Sequence, residues 1–251
     1  MASSVSVCMA THNGERFLAE QLESILPQLA SDDEVVIVDD LSADRTREIL
    51  STFADSRLRV YWNQQNLGAE QTFDRAIRLA TKQIIFMADQ DDVWLPGRVE
   101  LMAKALETSG AMLVSSNSEY IDAQGKPVAF PSHRVRAADS RHHARNISDA
   151  FIGKAPYYGC AMAFSRDIVP LICPIPAYVE SHDLWIALAA NLIRSNIHLE
   201  EQTLQRRIHG SNASVVRRSI ARMAWSRIIF VRSVLDLSAR YLGSFRNRRT
   251  G

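Results

Sequence analysis

Cysteine is scarce in this sequence: Cys8, Cys160 and Cys173 are the whole complement. They lie far apart, with no Cys-x-x-Cys and no metal-ligand spacing. This excludes a disulfide scaffold or a thiolate zinc site and fits buried thiols in a reducing compartment. No uninterrupted apolar run approaches the length of a bilayer span, so no membrane-crossing helix is expected. Met1-Ala2-Ser3-Ser4 carries no side-chain positive charge and runs straight into a strand-like segment, so no secretory signal is expected. There is no internal repeat. Acids are nearly missing from one region: Ala213 to Gly251 holds nine Arg against Asp236 alone, a local +8 in a chain of net +1. An acidic body of −7 therefore carries a basic tail. No recognition motif accompanies the arginines, so nucleic acid is not an expected partner.

What is present is an alternation of strand and helix signals over the first half of 251 residues. Compact β-branched or apolar runs predict strands at Val5–Ala10, Glu34–Val38, Leu58–Trp62 and Gln83–Ala88. Helical spacing of apolar residues predicts helices at Arg16–Leu29, Ala43–Phe53, Glu70–Thr81 and Arg98–Thr108. Repeated β-α-β units imply an α/β fold of Rossmann-like type, a mainly parallel sheet with helices on both faces. The second half is less regular. It reads as a strand at Ala111–Asn117, a turn at Asp122–Lys126 between two strands, and a mobile polar loop from Pro131 to Ser148 that includes His142 and His143. An apolar run at Tyr157–Phe164 and a helix at Asp183–Arg194 follow. In the tail, a helix over Ser214–Leu242 would gather Val216, Ile220, Met223, Phe230, Val231, Val234, Leu237 and Tyr241 on one side. Two readings of it stand: a basic amphipathic helix on an anionic membrane surface, or a helix packed on the body or a second subunit.

In parallel sheets ligands collect at the carboxyl ends of strands. The unusual polar residues fall there: Thr11-His12-Asn13-Gly14, Asp39-Asp40, Asn63 to Asn66, and Asp89-Gln90-Asp91-Asp92. The last group is the most informative. Three carboxylates repel one another unless a cation or several donors neutralise them. Mg²⁺ and Mn²⁺ favour such oxygen ligands and are completed by water and substrate phosphates. A bare acidic turn that caps the helix opened by Pro96 is the simpler alternative.

Val5-Ser6-Val7 leading to Thr11-His12-Asn13-Gly14-Glu15, then Val36-Ile37-Val38-Asp39-Asp40-Leu41-Ser42, Asn66-Leu67-Gly68 and Ala88-Asp89-Gln90-Asp91-Asp92-Val93-Trp94 together resemble family 2 glycosyltransferases. The nearest group is the bacterial rhamnosyltransferase-like one that builds surface polysaccharides. The resemblance covers Val5 to Asn212. It implies a GT-A fold over residues 1–212, with a nucleotide-sugar half (1–117), an acceptor half (118–212) and the basic helical tail (213–251) appended. It also implies inverting transfer of a sugar, such as rhamnose, from a nucleotide-diphosphate carrier to a hydroxyl of a glycan or polyprenyl-diphosphate-linked acceptor. Mg²⁺ or Mn²⁺ is the implied cofactor, and the cytoplasm is the implied location, with peripheral contact at the inner face of the plasma membrane.

Position by position, the resemblance marks Thr11, Asn13, Glu15 and Asn66 as nucleotide-sugar contacts, with Asp39 or Asp40, the latter favoured, at the base edge. Asp91 is the metal ligand of the Asp-x-Asp pair and Asp89 lies nearer the ribose, while Asp92 is a helix cap. Asp183 in Glu180-Ser181-His182-Asp183-Leu184-Trp185 is the base that takes the acceptor proton, with Glu180 as second choice; as a lone feature it would only cap a helix. In Gln205-Arg206-Arg207-Ile208-His209, a segment expected to close over the diphosphate, Arg207 pairs with phosphate and His209 completes the metal shell, donates to a phosphate oxygen or stays structural. Gly159 is expected to let substrate approach the backbone. Two other classes carry the same acidic signal: a metal-dependent nucleotidyltransferase or phosphohydrolase, and a membrane-associated nucleotide-binding protein without activity.

Overall fold

The computed structural model describes residues 3–130, 133–154, 156–210 and 220–249. Its first half is built from β1 (Val5–Thr11), α1 (Leu18–Ile25), β2 (Glu34–Asp39), α2 (Thr46–Thr52), β3 (Leu58–Trp62), α3 (Ala69–Leu79) and β4 (Ile84–Ala88). A two-residue β5 (Val93–Trp94), α4 (Arg98–Ser109), β6 (Leu113–Ile121), α5 (His143–Phe151), β7 (Met162–Ser165) and α6 (Val169–Ile172) follow. The last elements are α7 (His182–Leu192), β8 (Asn196–Arg207) and α8 (Ile220–Arg249).

All eight strands join one sheet in the order β3-β2-β1-β4-β7-β6-β8-β5. The four strands of the first half are mutually parallel, as their apolar runs predict. Order reverses between β1 and β4, so a crevice opens at their carboxyl ends, where Thr11 and Ala88 lead into polar loops. Beyond β4 the sheet is mixed. β7 runs antiparallel to β4 and β6, β6 and β8 are parallel, and β5 returns antiparallel to β8.

Alternation along the strands feeds two layers. Val7, Met9, Ile37 and Phe86 face α1 and α4, where Leu18, Leu22, Ile25 and Met102 are buried. Cys8, Val36, Val38 and Met87 face the other way, onto Phe73 and Ile77 of α3 and the Trp185–Ala190 stretch of α7. All three cysteines are unpaired. Cys8 and Cys160 are buried and Cys173 half-buried, and burial pushes each thiol up from its ordinary range.

Several expectations need correction. Residues 143–148 of the expected mobile loop belong to α5, which runs on to Phe151 and is seated by buried Asn146 and Ala150. Only one strand flanks the Asp122–Lys126 turn, and a single bridge from Ile121 to Pro127 stands in for the second. Pro96 does not open α4: Gly97 caps it in a left-handed conformation and Arg98 is its first residue. Helix α2 starts at Thr46 because the Ala43 and Arg45 N–H groups are held by Asn13 and Glu15. Residues Gln205 to Arg207 are the end of strand β8, not a closing flap. Of the predicted tail helix, 214–219, including Val216, lie outside the described residues.

α8 packs on the body. Phe230, Ser233 and Leu237 are buried, and Phe230 meets Phe151 of α5 edge-on at 5.4 Å. Tyr178 donates to Asp236 at 2.9 Å, while Arg240 reaches the Leu171 and Pro174 carbonyls. The expected single apolar side is split, since Met223 and Val231 are exposed.

Candidate active site

Three loops at the carboxyl ends of the strands are stitched together by the side chains the sequence marks. Thr11, buried at the end of β1, donates to Asp39 at 3.0 Å, and Asp39 also accepts from the Ser42 N–H at 3.1 Å. Asn13 accepts from the Ala43 N–H at 2.9 Å and Glu15 from the Arg45 N–H at 3.0 Å. These contacts hold Asn13 and Leu41 at positive φ, a conformation that Asn tolerates and Leu rarely adopts. Asp40 is committed elsewhere. Asn63 and the Leu67 N–H donate to one of its oxygens at 2.7 and 2.8 Å, and the Gly68 N–H to the other at 2.8 Å. Asn66, exposed in the same loop, accepts from Gly68 at 3.2 Å.

The acidic segment follows β4. Asp91 meets His209 at 2.7 Å, and the imidazole rests 5.1 Å from the Phe17 ring. The Asp89 carboxylate, that of Asp92 and the Cys160 thiol have ligand atoms within 4.8 Å of one another. Burial raises the Asp89 pKa and the charge of Asp91 adds to it. Burial likewise pushes Asp92 up to about 7, reinforced by Asp89 and Asp91 and opposed by Arg206. Asp92 is no helix cap. β5 separates it from α4, and one of its oxygens accepts from the Arg207 N–H at 3.0 Å. Its other oxygen is buried without a partner among the described residues.

Arg207 is buried and its guanidinium is employed within the fold. It donates to the Asp91 carbonyl at 2.9 Å and to Glu20 at 2.6 Å, and lies over Phe17. It therefore positions the acidic turn rather than presenting its charge openly.

Asp183 sits in the first turn of α7. One of its oxygens accepts from Ser181 and from the Leu184 N–H, and Ser181 is itself the cap of that helix. The other oxygen has no partner among the described residues. The charge of Asp183 raises the Asp89 pKa further, and Gly159, which Asp183 packs against, precedes the Cys160 grouped with Asp89 and Asp92, so the acid of the second half lies by the acidic turn of the first. Glu180, the second choice, is exposed. Gly159 has a different role from the expected one: a Cβ there would lie 2.9 Å from the His182 ring and 3.4 Å from Asp183. Its smallness lets the start of α7 approach.

The donor set suits a hard divalent cation. It comes as two groups, Asp91 with His209 and Asp89 with Asp92 and the Cys160 thiol; the carboxylates and the imidazole suit such an ion, and one Asp92 oxygen lies orphaned among acids that repel one another.

Residues 6–170 match Glycosyl transferase family 2. The chain belongs to that family. This family 2 chain is 28% identical over 118 residues to UDP-Glc:alpha-D-GlcNAc-diphosphoundecaprenol beta-1,3-glucosyltransferase WfgD of Escherichia coli, 47% of each chain. It is 34% identical over 166 residues to dTDP-rhamnosyl transferase RfbG of Shigella flexneri, covering 63% of this chain and 54% of that one. The first curated relatives are matched over only 39 to 47% of their length.

Among solved structures, S. aureus TarS 1-349 in complex with UDP-GlcNAc aligns at a TM-score of 0.68 and 16% identity, over 96% of this chain and 73% of that one. The mannosyltransferase PcManGT from Pyrobaculum calidifontis, in complex with GDP-Man and Mn2+, aligns at 0.62 and 16% identity, over 98% and 76%. The fold is GT-A.

Two site residues of the family 2 chain escaped the sequence reading. The Gln90 side chain accepts from the His12 N–H at 2.9 Å and donates to the His12 carbonyl at 3.0 Å, pinning the acidic turn to the β1–α1 loop. A Cβ on Gly14 would lie 2.3 Å from the Gln90 oxygen, so that glycine makes room for the brace. Arg206 is only 9% exposed, lies 4.0 Å over the Tyr158 ring, and has no hydrogen-bond or ion-pair partner among the described residues. Gln90 sits inside a motif already singled out. Nothing in the sequence separates Arg206 from any strand arginine.

Proposed function

We propose that this chain transfers a sugar, with inversion, from a nucleotide-diphosphate donor to an acceptor hydroxyl. The observation that carries the reading is the meeting of three features in one crevice. These are the Asp91–His209 contact at 2.7 Å, Asp89 grouped with Asp92 and Cys160 in the same acidic turn, and Asp183 packed against Gly159, the residue before Cys160.

The stitched loops bearing Thr11, Asn13, Glu15, Asp39, Asp40 and Asn66 would hold the nucleoside. Asp91 and His209, with Asp89, would hold a divalent cation, Mg²⁺ or Mn²⁺. That ion, when bound, would offset negative charge gathering on the departing diphosphate. The free oxygen of Asp183 takes the proton of the acceptor hydroxyl as its oxygen bonds to the anomeric carbon. The bond from that carbon to the diphosphate breaks, and its electron pair leaves with the nucleoside diphosphate. Arg207 keeps the acidic turn in place through the Asp91 carbonyl.

A lipid-diphosphate-linked or growing surface glycan is the acceptor class we favour, supported by the E. coli relative's name as a glucosyltransferase acting on alpha-D-GlcNAc-diphosphoundecaprenol. A deoxythymidine-diphosphate sugar such as rhamnose is the first donor to try, supported by the Shigella relative. An inner-membrane-associated cytoplasmic location belongs to the same reading.

The test has two arms. A panel of nucleotide sugars, with and without Mn²⁺, should raise the melting temperature for one donor, most strongly with the ion present. Asp183→Asn should then keep that donor shift while transfer falls by about 10² to 10⁴. Unchanged turnover in Asp183→Asn removes it as the base, and no shift with any donor removes the reading.

A further inference from the structure

α8 is apolar on two opposite faces. The inner one, through Phe230 and Leu237, is used against the body. The outer one is not. Trp225, Ile228, Val231, Leu235 and Leu242 recur at helical spacing along a single stripe, each from 49% exposed (Val231) to 66% exposed (Leu235). Exposed Ala224 and Ala239 continue the same face. Isolated surface apolar residues need no explanation, but a stripe of five on one helix face marks a surface that meets something apolar.

Charge identifies the occupant. Arg222, Arg227 and Arg232 border the stripe, Arg227 lying over the Phe151 ring at 5.3 Å and Arg232 over the Tyr178 ring at 3.9 Å with their charge retained, and Arg217, Arg218, Arg246, Arg248 and Arg249 stand in the sequence around it. Asp236 is the only acid of the helix, and it is turned away to Tyr178 and Arg240 at 2.9 and 3.1 Å. The outer face is thus an apolar strip rimmed by positive charge. We propose that it docks on an anionic lipid surface, with the apolar stripe in the headgroup boundary and the arginines against lipid phosphates. No helix among the described residues is long and apolar enough to cross a membrane, so this helix would lie on the surface and not span it.

The rival occupant is a second copy of the chain, since Ile228, Leu235 and Leu242 fall seven apart with Val231 between them, the spacing of a coiled-coil seam. Like charge opposes it. In a parallel pair, Arg227 of one helix would face Arg232 of the next across the seam. Docking on lipid rests on the location named in the proposed function and not on its chemistry, so docking and sugar transfer can each fail alone.

Co-sedimentation of the full chain with vesicles of phosphatidylcholine, alone or mixed with phosphatidylglycerol, tests it. The wild type should pellet with the mixed vesicles, stay in solution with the neutral ones, and be released by salt. Ile228→Asp combined with Leu235→Asp, both outward positions, should lower the bound fraction at least about tenfold with the melting temperature unchanged. A wild type that ignores the mixed vesicles overturns the proposal, as does a double variant that binds equally well. Light scattering that shows a dimer split by the double variant also overturns it, because the face then belongs to a second copy. Loss of vesicle binding with transfer to a soluble acceptor intact would leave the catalytic reading untouched.

Discussion

At the scale of single residues, the chemistry-bearing positions were legible because they break the pattern around them. A strand as apolar as Ile84–Ala88 has no structural reason to end in three acids, and an acid followed by the start of a helix invites scrutiny in any α/β chain. What stayed hidden is how side chains speak to backbone. Gln90 looks like filler between two carboxylates, yet its two bonds to His12 fix one loop against another. This makes a sharp prediction. Gln90→Ala should raise the donor KM about tenfold, the loss of two hydrogen bonds worth roughly 1.4 kcal/mol together, with kcat less affected. Gly14→Ala should do the same by pushing the amide aside. The double variant should be no worse than either single one, as kinetics of the full cycle will check. Additive losses would mean that Gly14 serves something else.

At the scale of elements, periodicity located the first-half helices and strands, and contacts from afar set their ends. Pro27 stops α1 after Ile25 in a short 3₁₀ turn. β8 was missed because Asn196, His198, Thr203, Arg206 and Arg207 do not read as a strand interior. They are tolerated there because they find partners. Asn196 and His198 meet the Tyr157 hydroxyl at 3.0 Å, Thr203 meets Ser116 at 2.7 Å, and Arg206 lies over Tyr158. α5 was hidden for the converse reason, since its sequence is largely polar and only Asn146 and Ala150 are buried.

Glu34 shows how one acid can lock several elements. It accepts from Ser6 on β1 at 2.7 Å, from Arg59 on β3 at 2.6 Å and from the Thr81 N–H ahead of β4 at 2.6 Å. Burial alone would raise its pKa, but these hydrogen bonds outweigh it and bring the group to about 2. A lowered value means that the stabilisation is full above about pH 4.5, the unfolded value, and drains away as pH falls through 2. Glu34→Gln should therefore cost about 2 kcal/mol at neutral pH, with the difference vanishing near pH 2. Denaturant titrations at a series of pH values will show whether the gap closes in that window.

At the scale of the whole molecule, the sequence carried the family and the parallel half of the sheet. It did not carry the mixed half, where β6, β7 and β8 meet over long separations that no local pattern encodes. Nor did it show that the basic tail is part of the body. The segment from Leu171 to Tyr178 lies between α8 on one side and α3 on the other. Arg240 and Asp236 grip it from the tail, while Asp74 accepts from the Ile175 N–H at 2.8 Å. That same segment runs on into Ser181 and Asp183. A chain cut after residue 210 should therefore lose more than an address. It should melt at lower temperature and bind donor with little change. It should turn over poorly even on a soluble acceptor, because the stretch leading to Asp183 has lost one of its two supports. Helix α8 is then less a leash than a buttress, and any truncation made for convenience will weaken the wall that carries Asp183.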